Sequence, residues 1–209
     1  MRGSDFKPIE AAFESHGDST LVKGFVVQGG AKKCSRKVID GYTAFVKDYG
    51  LSGLLYGKVD GTADALSVSG PLSKLADSNA GVQELLHSTG AAPGDLVLVA
   101  CGSASTVNTG LGMLRVKVAN DLNLIDPSAF VFTWVVDFTL FEWDAEAGRY
   151  VSIHHPFTAP LQEHLPWLSD PERRADILSD SYDLVLNGCE IGGGSLRIHD
   201  TAVQQSVIV

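Results

Sequence analysis

The sequence changes character at Asp126-Pro127-Ser128, and that change limits the folds open to it. Before this point, short β-rich runs alternate with stretches whose apolar residues recur at helical spacing. After it, apolar residues alternate with a period of two and helical spacing nearly disappears. Two periodicities segregated along 209 residues predict two units, 1–126 and 127–209. The fold class expected is α+β: a mixed α/β domain followed by a partial antiparallel β-sheet.

In the first part, residues 21–28 (LVKGFVVQ) predict a strand that ends at Gly29-Gly30. Ser35 precedes Val38, Ile39, Tyr42, Phe45 and Val46, the apolar stripe of a capped helix with Gly50 as its stop. Residues 51–59 predict the next strand, and 64–78 a loop with a short strand. Asn79 would cap a short helix carrying Val82, Leu85 and Leu86. Pro93-Gly94 then turn the chain into a strand over 95–100, and 106–122 fit a longer helix. In the second part, 130–143 read as one strand, 144–148 as a turn and 149–155 as the returning arm of a hairpin. Asp170-Pro171 marks a helix start, 182–186 a short strand, Gly192-Gly193-Gly194 a break, and 195–199 a further strand.

Acidic residues outnumber Lys and Arg by 25 to 16, so the net charge of −9 argues against a general binder of polyanions. Any nucleic-acid contact must be local. Lys32, Lys33, Arg36 and Lys37 are the best candidate, although a solvated helix start is the ordinary reading of such a cluster. Cys34, Cys101 and Cys189 are far apart and form no CxxC pair, which indicates neither a disulfide framework nor a zinc site. A reducing, cytoplasmic compartment is expected. No run approaches the ~18 apolar residues of a membrane span. Met1-Arg2-Gly3-Ser4 lacks the apolar run of a signal peptide and reads like an expression-vector leader.

Four features could carry chemistry. His154 and His155 end a strand, where one imidazole could reach a ligand or simply hold the backbone. Asp183 and Glu190 flank an apolar run; magnesium sites use one or two carboxylates plus substrate phosphates. Their separation of seven puts them on opposite faces of an unbroken strand, so a bulge at Asn187-Gly188 would be needed to bring them together. The alternative makes Asp183 a turn residue and Glu190 a partner of Arg197. Gly192, Gly193 and Gly194 remove every Cβ over three residues, which suits a flat seat for a base or ribose. The fork of Arg197 suits two-pronged binding of a carboxylate, or else a salt bridge to Glu190 or Asp183.

Taken together these segments resemble a known family. Residues 182–199 (YDLVLNGCEIGGGSLRIH), preceded by 134–141 (WVVDFTLF) and 154–158 (HHPFT), look like the signature of bacterial-type aspartyl-tRNA synthetases. Gln28-Gly29-Gly30, residues 35–40 (SRKVID) and 93–98 (PGDLVL) look like the GAD domain inserted into that family's class II catalytic core. The resemblance implies an aspartate–tRNA ligase that uses ATP and Mg2+ to form aspartyl-adenylate and then charges tRNA. It implies that Arg197 and His154 bind aspartate, that Glu190 and the three glycines bind ATP, and that Asp183 and Glu190 hold the metal. Cys189 stands where the family usually has an aromatic residue, and Thr139 where it usually has Pro. The anticodon-binding barrel and the first, second and third class II motifs are not found. The chain is therefore expected to be a fragment of a homodimeric parent and to be inactive by itself. The alternative is a non-catalytic GAD-type module that contacts tRNA or a protein partner.

Overall fold

The computed structural model describes residues 7–62, 65–76 and 80–208. Asp64, Ser78, the cap expected at Asn79 and the leader expected at Met1 to Ser4 lie outside the described residues. The chain divides into two compact units, Met1–Asp126 and Pro127–Val209.

The first unit runs α1 (Lys7–His16), β1 (Thr20–Val27), α2 (Gly30–Lys33), α3 (Arg36–Lys47), β2 (Leu55–Thr62), β3 (Ala65–Ser69), α4 (Ser73–Ala76), α5 (Ala80–Ser88), β4 (Leu96–Ser103) and α6 (Ala104–Asp121). The sheet order is β1-β4-β2-β3 with every pairing antiparallel. β1 and β2 therefore run parallel to each other, joined by the α2–α3 crossover, and β4 is inserted between them. Ser35 caps α3 by accepting from the Val38 N–H, and Ser103 caps α6 by accepting from the Thr106 N–H. The second strand starts at Leu55 rather than near residue 51, because the chain turns through Gly50 at φ 84° and Leu51 packs into the core instead. Helix α1 has no counterpart in the sequence reading.

β4 is buried along its length from Leu96 to Gly102. Leu96, Leu98 and Ala100 pack with Ile39, Tyr42, Val46, Leu111 and Leu114 of α3 and α6. Val97, Val99 and Cys101 face the other way, onto Ile9, Leu72, Val82 and Leu86. One strand with two apolar faces thus joins two helical layers. Truncating Leu98 to Ala would cost about 2–5 kcal/mol.

The second unit contains β5 (Phe132–Val135), β6 (Phe141–Asp144), β7 (Arg149–Ser152), 3-10 turns at Gln162–Ser169 and Pro171–Asp176, β8 (Ser181–Leu186), β9 (Cys189–Ser195) and α7 (Thr201–Ile208). The long strand expected over 130–143 is two strands in two sheets. Asp137 has φ 60°, and beyond it the chain leaves β8 to pair with residues 177–179: Ser179 N–H donates to Phe138 O and Leu140 N–H to Ile177 O. β6 and β7 form the hairpin, its turn held by the Asp144 carboxylate accepting from the Glu146 and Ala147 N–H groups. The helix start at Asp170 is a 3-10 turn, with the Asp170 carboxylate accepting from Glu172 N–H. Its Arg173 lies 3.7 Å over the Trp167 ring, which itself stacks on His164.

β5, β8 and β9 form a three-stranded sheet that no buried cluster covers. All four residues of β5 are exposed, Trp134 to 61%. The core of this unit lies instead around Leu140, Phe141, Leu168, Ile177 and Val207, beneath α7 and the 3-10 turns.

Candidate functional site

The site is built on the β8–β9 hairpin and the loop after β7. Asn187 and Gly188 make the tight turn, both with positive φ (50° and 82°), and Leu186 pairs with Cys189 across it. They are therefore the turn and not the bulge expected there. The bulge lies on β9: Val185 pairs with Glu190 but Leu184 with Gly192, leaving Ile191 unmatched. That one extra residue decides the face of Glu190. Residues paired across a sheet share a face, so Glu190 stands on the face of Val185 and hence of Asp183.

The triple glycine does not break the strand but forms its interior. Asp183 pairs with Gly193 and Tyr182 with Gly194. A Cβ at Gly193 would collide with the Asp183 carboxylate, and one at Gly194 would meet the Tyr182 hydroxyl at 2.7 Å. These two glycines make room for their cross-strand neighbours, one on each face. A Cβ at Gly192 would meet open space.

The strand expected over 195–199 is only partly formed. β9 ends at Ser195, and Arg197 makes a single antiparallel bridge to Thr158. Ala159 N–H donates to Leu196 O and Ile198 N–H to Phe157 O, so the segment after the glycines is fastened to the loop after the histidines. Thr158 is the buried fastener: it is 2% exposed, and its Oγ1 lies 3.3 Å from Ser195 Oγ.

The result is a small open cavity of about 200 Å³ lined by His154, Asp183, Gly194 and Arg197 together with Phe138, His155, Thr158, Ser181 and Ser195. Four of the residues singled out in sequence share it, while Glu190, Gly192 and Gly193 do not line it. Arg197 is exposed. The ion pairs among the described residues, Lys117–Asp121 and Arg173–Asp176, do not involve it. The salt-bridge alternative for Arg197 is thus not realised among these residues. The Nε2 of His154 lies 3.1 Å from Thr139 O. A carbonyl only accepts, so Nε2 carries a proton and Nδ1 is left as the free position; Nδ1 donates to an anion only in the imidazolium form. His155 instead accepts the Phe157 N–H at Nδ1 and packs on the Phe157 ring.

Thr158, Ser181 and Ser195 were not picked out in the sequence as lining residues. The signal is faint: Ser181 and Ser195 become opposite neighbours only once the β8–β9 register is known. Among the described residues, no group of three or more His, Cys, Asp or Glu side chains is placed to hold a metal by itself. A site of two carboxylates can still serve a cation that brings its own phosphate ligands. No helix among the described residues is long and apolar enough to cross a membrane.

The GAD domain family matches residues 10–111. The chain is 46% identical over 208 residues to the aspartate–tRNA ligase of Halalkalibacterium halodurans, an alignment that takes in 99% of this chain and 33% of that protein. It is 42% identical over 207 residues to the aspartate–tRNA ligase of Lactiplantibacillus plantarum, again 99% and 33%. To the aspartate–tRNA(Asp/Asn) ligase of Anoxybacillus flavithermus it is 43% identical over 208 residues, with the same coverage. The chain spans about a third of the length of the curated relatives it matches. Over that third it belongs to the bacterial aspartate–tRNA ligase family, and residues 10–111 are its GAD domain.

Proposed function

We propose that this chain contributes the side-chain end of the aspartate site and part of the ATP–magnesium site to an aspartate–tRNA ligase. The observation that carries this reading is the cavity that gathers Arg197, His154 and Asp183 on one side of β8–β9, with no protein carboxylate paired to Arg197 among the described residues. A guanidinium presented in this way fits the side-chain carboxylate of aspartate, and His154 in its imidazolium form adds a second donor. Glu190 and the edge at Gly192 to Gly194 extend the same hairpin toward ATP. Asp183 and Glu190, on one face, are hard oxygen ligands of the kind Mg2+ takes with nucleotide phosphates; the bound ion supplies charge neutralisation there. The remaining work is positioning and charge stabilisation, which needs no protein nucleophile.

In this reading the domains follow the boundary at residue 126, the GAD unit first and a part of the catalytic core second. The parent acts in the cytoplasm as a homodimer on aspartate, ATP and tRNA. The chain alone does not charge tRNA, because an incomplete electrostatic site loses orders of magnitude per missing group. Aspartate-dependent ATP–pyrophosphate exchange by the purified chain would contradict this.

The test of the site uses a ligase of the relatives' length that carries this segment. Arg197→Leu leaves the substrate carboxylate unpaired, a loss of about 3–5 kcal/mol, or roughly a hundred- to several-thousand-fold in kcat/KM for aspartate. The KM for ATP stays nearly unchanged. Arg197→Lys recovers only part of the loss, since a point charge lacks the fork. Glu190→Gln shows the reverse pattern, a defect in magnesium and ATP dependence. If Arg197→Leu lowers thermal stability and spares aspartate kinetics, Arg197 is a structural residue. The second reading, a GAD-type binding module, rests on the first unit having its own two-layered core.

A further inference from the structure

We infer that the first unit carries a phosphate-binding surface at Lys32, Lys33, Arg36 and Lys37, and that its partner is the backbone of a structured RNA. The inference rests on the tRNA part of the proposed function and gives it a surface. Four cations fall within six residues of a chain whose net charge is −9. All four are exposed. Neither ion pair described for the molecule, Lys117–Asp121 or Arg173–Asp176, uses any of them.

The backbone that carries them is fixed from below. Gly30 and Cys34, at either end of the α2 turn, are buried. A Cβ at Gly30 would lie 2.9 Å from Leu96 Cβ and 3.0 Å from Val27 Cβ, so the turn is pressed onto the sheet. Gly29 N–H donates to the Asp95 carboxylate at 2.7 Å, Ala31 N–H to Gly94 O at 3.0 Å, and Lys58 Nζ to Ala31 O at 2.6 Å. Ser35 then caps α3. The polar groups of this turn are spent inward, while the four cations are spent on nothing that the described residues supply. Lys58 adds a fifth positive charge beneath them.

Charge placement points the same way. Arg36 and Lys37 occupy the first turn of α3, which holds no acidic residue. A helix N-terminus favours anions, so stability alone would select the opposite sign there. The nearby acids do little to neutralise the patch. Asp95 is buried and accepts from two backbone N–H groups, and Asp121 is paired with Lys117. Asp40, one turn along α3 from Arg36, is exposed. A protein partner would need an apolar centre to the interface. Within 31–38 the one large apolar side chain at the surface is Val38, 36% exposed. Phosphates held by point charges need no such centre.

The test uses the chain itself and a fluorescein-labelled RNA hairpin with an acceptor-stem-like duplex, followed by anisotropy at rising salt. If the four cations meet four phosphates, affinity falls roughly a hundredfold between about 50 and about 200 mM monovalent salt. A variant with Lys32→Ala, Lys33→Ala, Arg36→Ala and Lys37→Ala binds weakly and loses most of that salt dependence, yet unfolds at the temperature of the parent or above it. Lys23→Ala, which removes a cation bonded to Asn108 on β1, changes affinity less than twofold. The inference is overturned if the fourfold variant binds as tightly as the parent, or if poly-glutamate binds as tightly as RNA at the same ionic strength. The assay needs neither aspartate nor ATP, so its failure is distinct from a failure of Arg197 in aspartate kinetics.

Discussion

Replacing Asp95 with Ala removes the one carboxylate that ties the α2 turn to the strand entry. Asp95 is 7% exposed; one oxygen accepts from Gly29 N–H at 2.7 Å and the other from Ala92 N–H at 2.9 Å. Hydrogen bonds to a charged acceptor contribute about 1.5–3 kcal/mol each, which bounds the loss near 3–6 kcal/mol. Gly29 and Ala92 are themselves exposed, so water can take up part of what the two N–H groups lose. The expected destabilisation is therefore nearer ~2–4 kcal/mol. Asp95→Asn keeps one acceptor but turns an amide NH2 toward the other N–H, and should retain no more than about half of the difference. Urea unfolding followed by far-UV circular dichroism reads the helices, most of which are in the first unit. Trp134, Trp143 and Trp167 all lie in the second unit, so tryptophan fluorescence separates its transition from that of the first. A loss under ~0.5 kcal/mol for Asp95→Ala, or an Asn variant as stable as the parent, would refute this account, since surface changes away from such bonds stay within that range.

Two further outcomes follow from burial. The Tyr42 ring is 1% exposed and its hydroxyl has no hydrogen-bond partner among the described residues; burial, with negative charge at Cys34 and Asp121 adding to it, pushes its pKa up to about 12 from 10. A raised folded-state value means that the contribution is whole below pH 10 and is lost as pH rises toward 12, so alkaline unfolding of the first unit should be shallower in Tyr42→Phe. Amide hydrogen exchange should protect Val97, Leu98 and Val99 of β4 far more than Phe132 to Val135 of β5, which form an edge strand with all four residues exposed. Equal protection of the two strands would count against the second sheet's being the weaker.

Elements with periodic burial were legible. The stripe of Ile39, Tyr42 and Val46 behind the Ser35 cap gave α3, and Ser103 with Val107, Leu111, Leu114 and Val118 is the same grammar in α6. The topology was less legible. Alternating strands and helices suggest a parallel sheet, and nothing local in residues 96–103 says that this strand inserts between β1 and β2. What marks it is its burial on both faces, which in sequence looks like any short apolar run. The 130–143 error has a similar cause: the apolar alternation continues across Asp137, and one residue with φ 60° moves the chain from one sheet to another.

The site shows why residue types were easier to read than their arrangement. Arg197, His154 and Asp183 stood out because charged and ring-nitrogen groups in apolar surroundings need partners or ligands. Their meeting depends on two irregularities that no periodic rule contains. One is the unmatched Ile191, without which a separation of seven would place Glu190 on the far face from Asp183. The other is the bridge from Thr158 to Arg197, which lets the loop after the histidines continue the sheet past the point where β9 ends. Asn187-Gly188 carried the stronger sequence signal for a backbone irregularity, and it became the turn, because a two-residue hairpin needs positive φ at both positions and Asn-Gly supplies it most cheaply. The bulge then had to fall elsewhere, and it falls next to glycines, where the missing side chains let β9 bend. The glycines therefore act first on geometry: they seat Asp183 and Tyr182 on opposite faces of the hairpin and let the strand carry an extra residue. Any role toward a nucleotide is built on that arrangement.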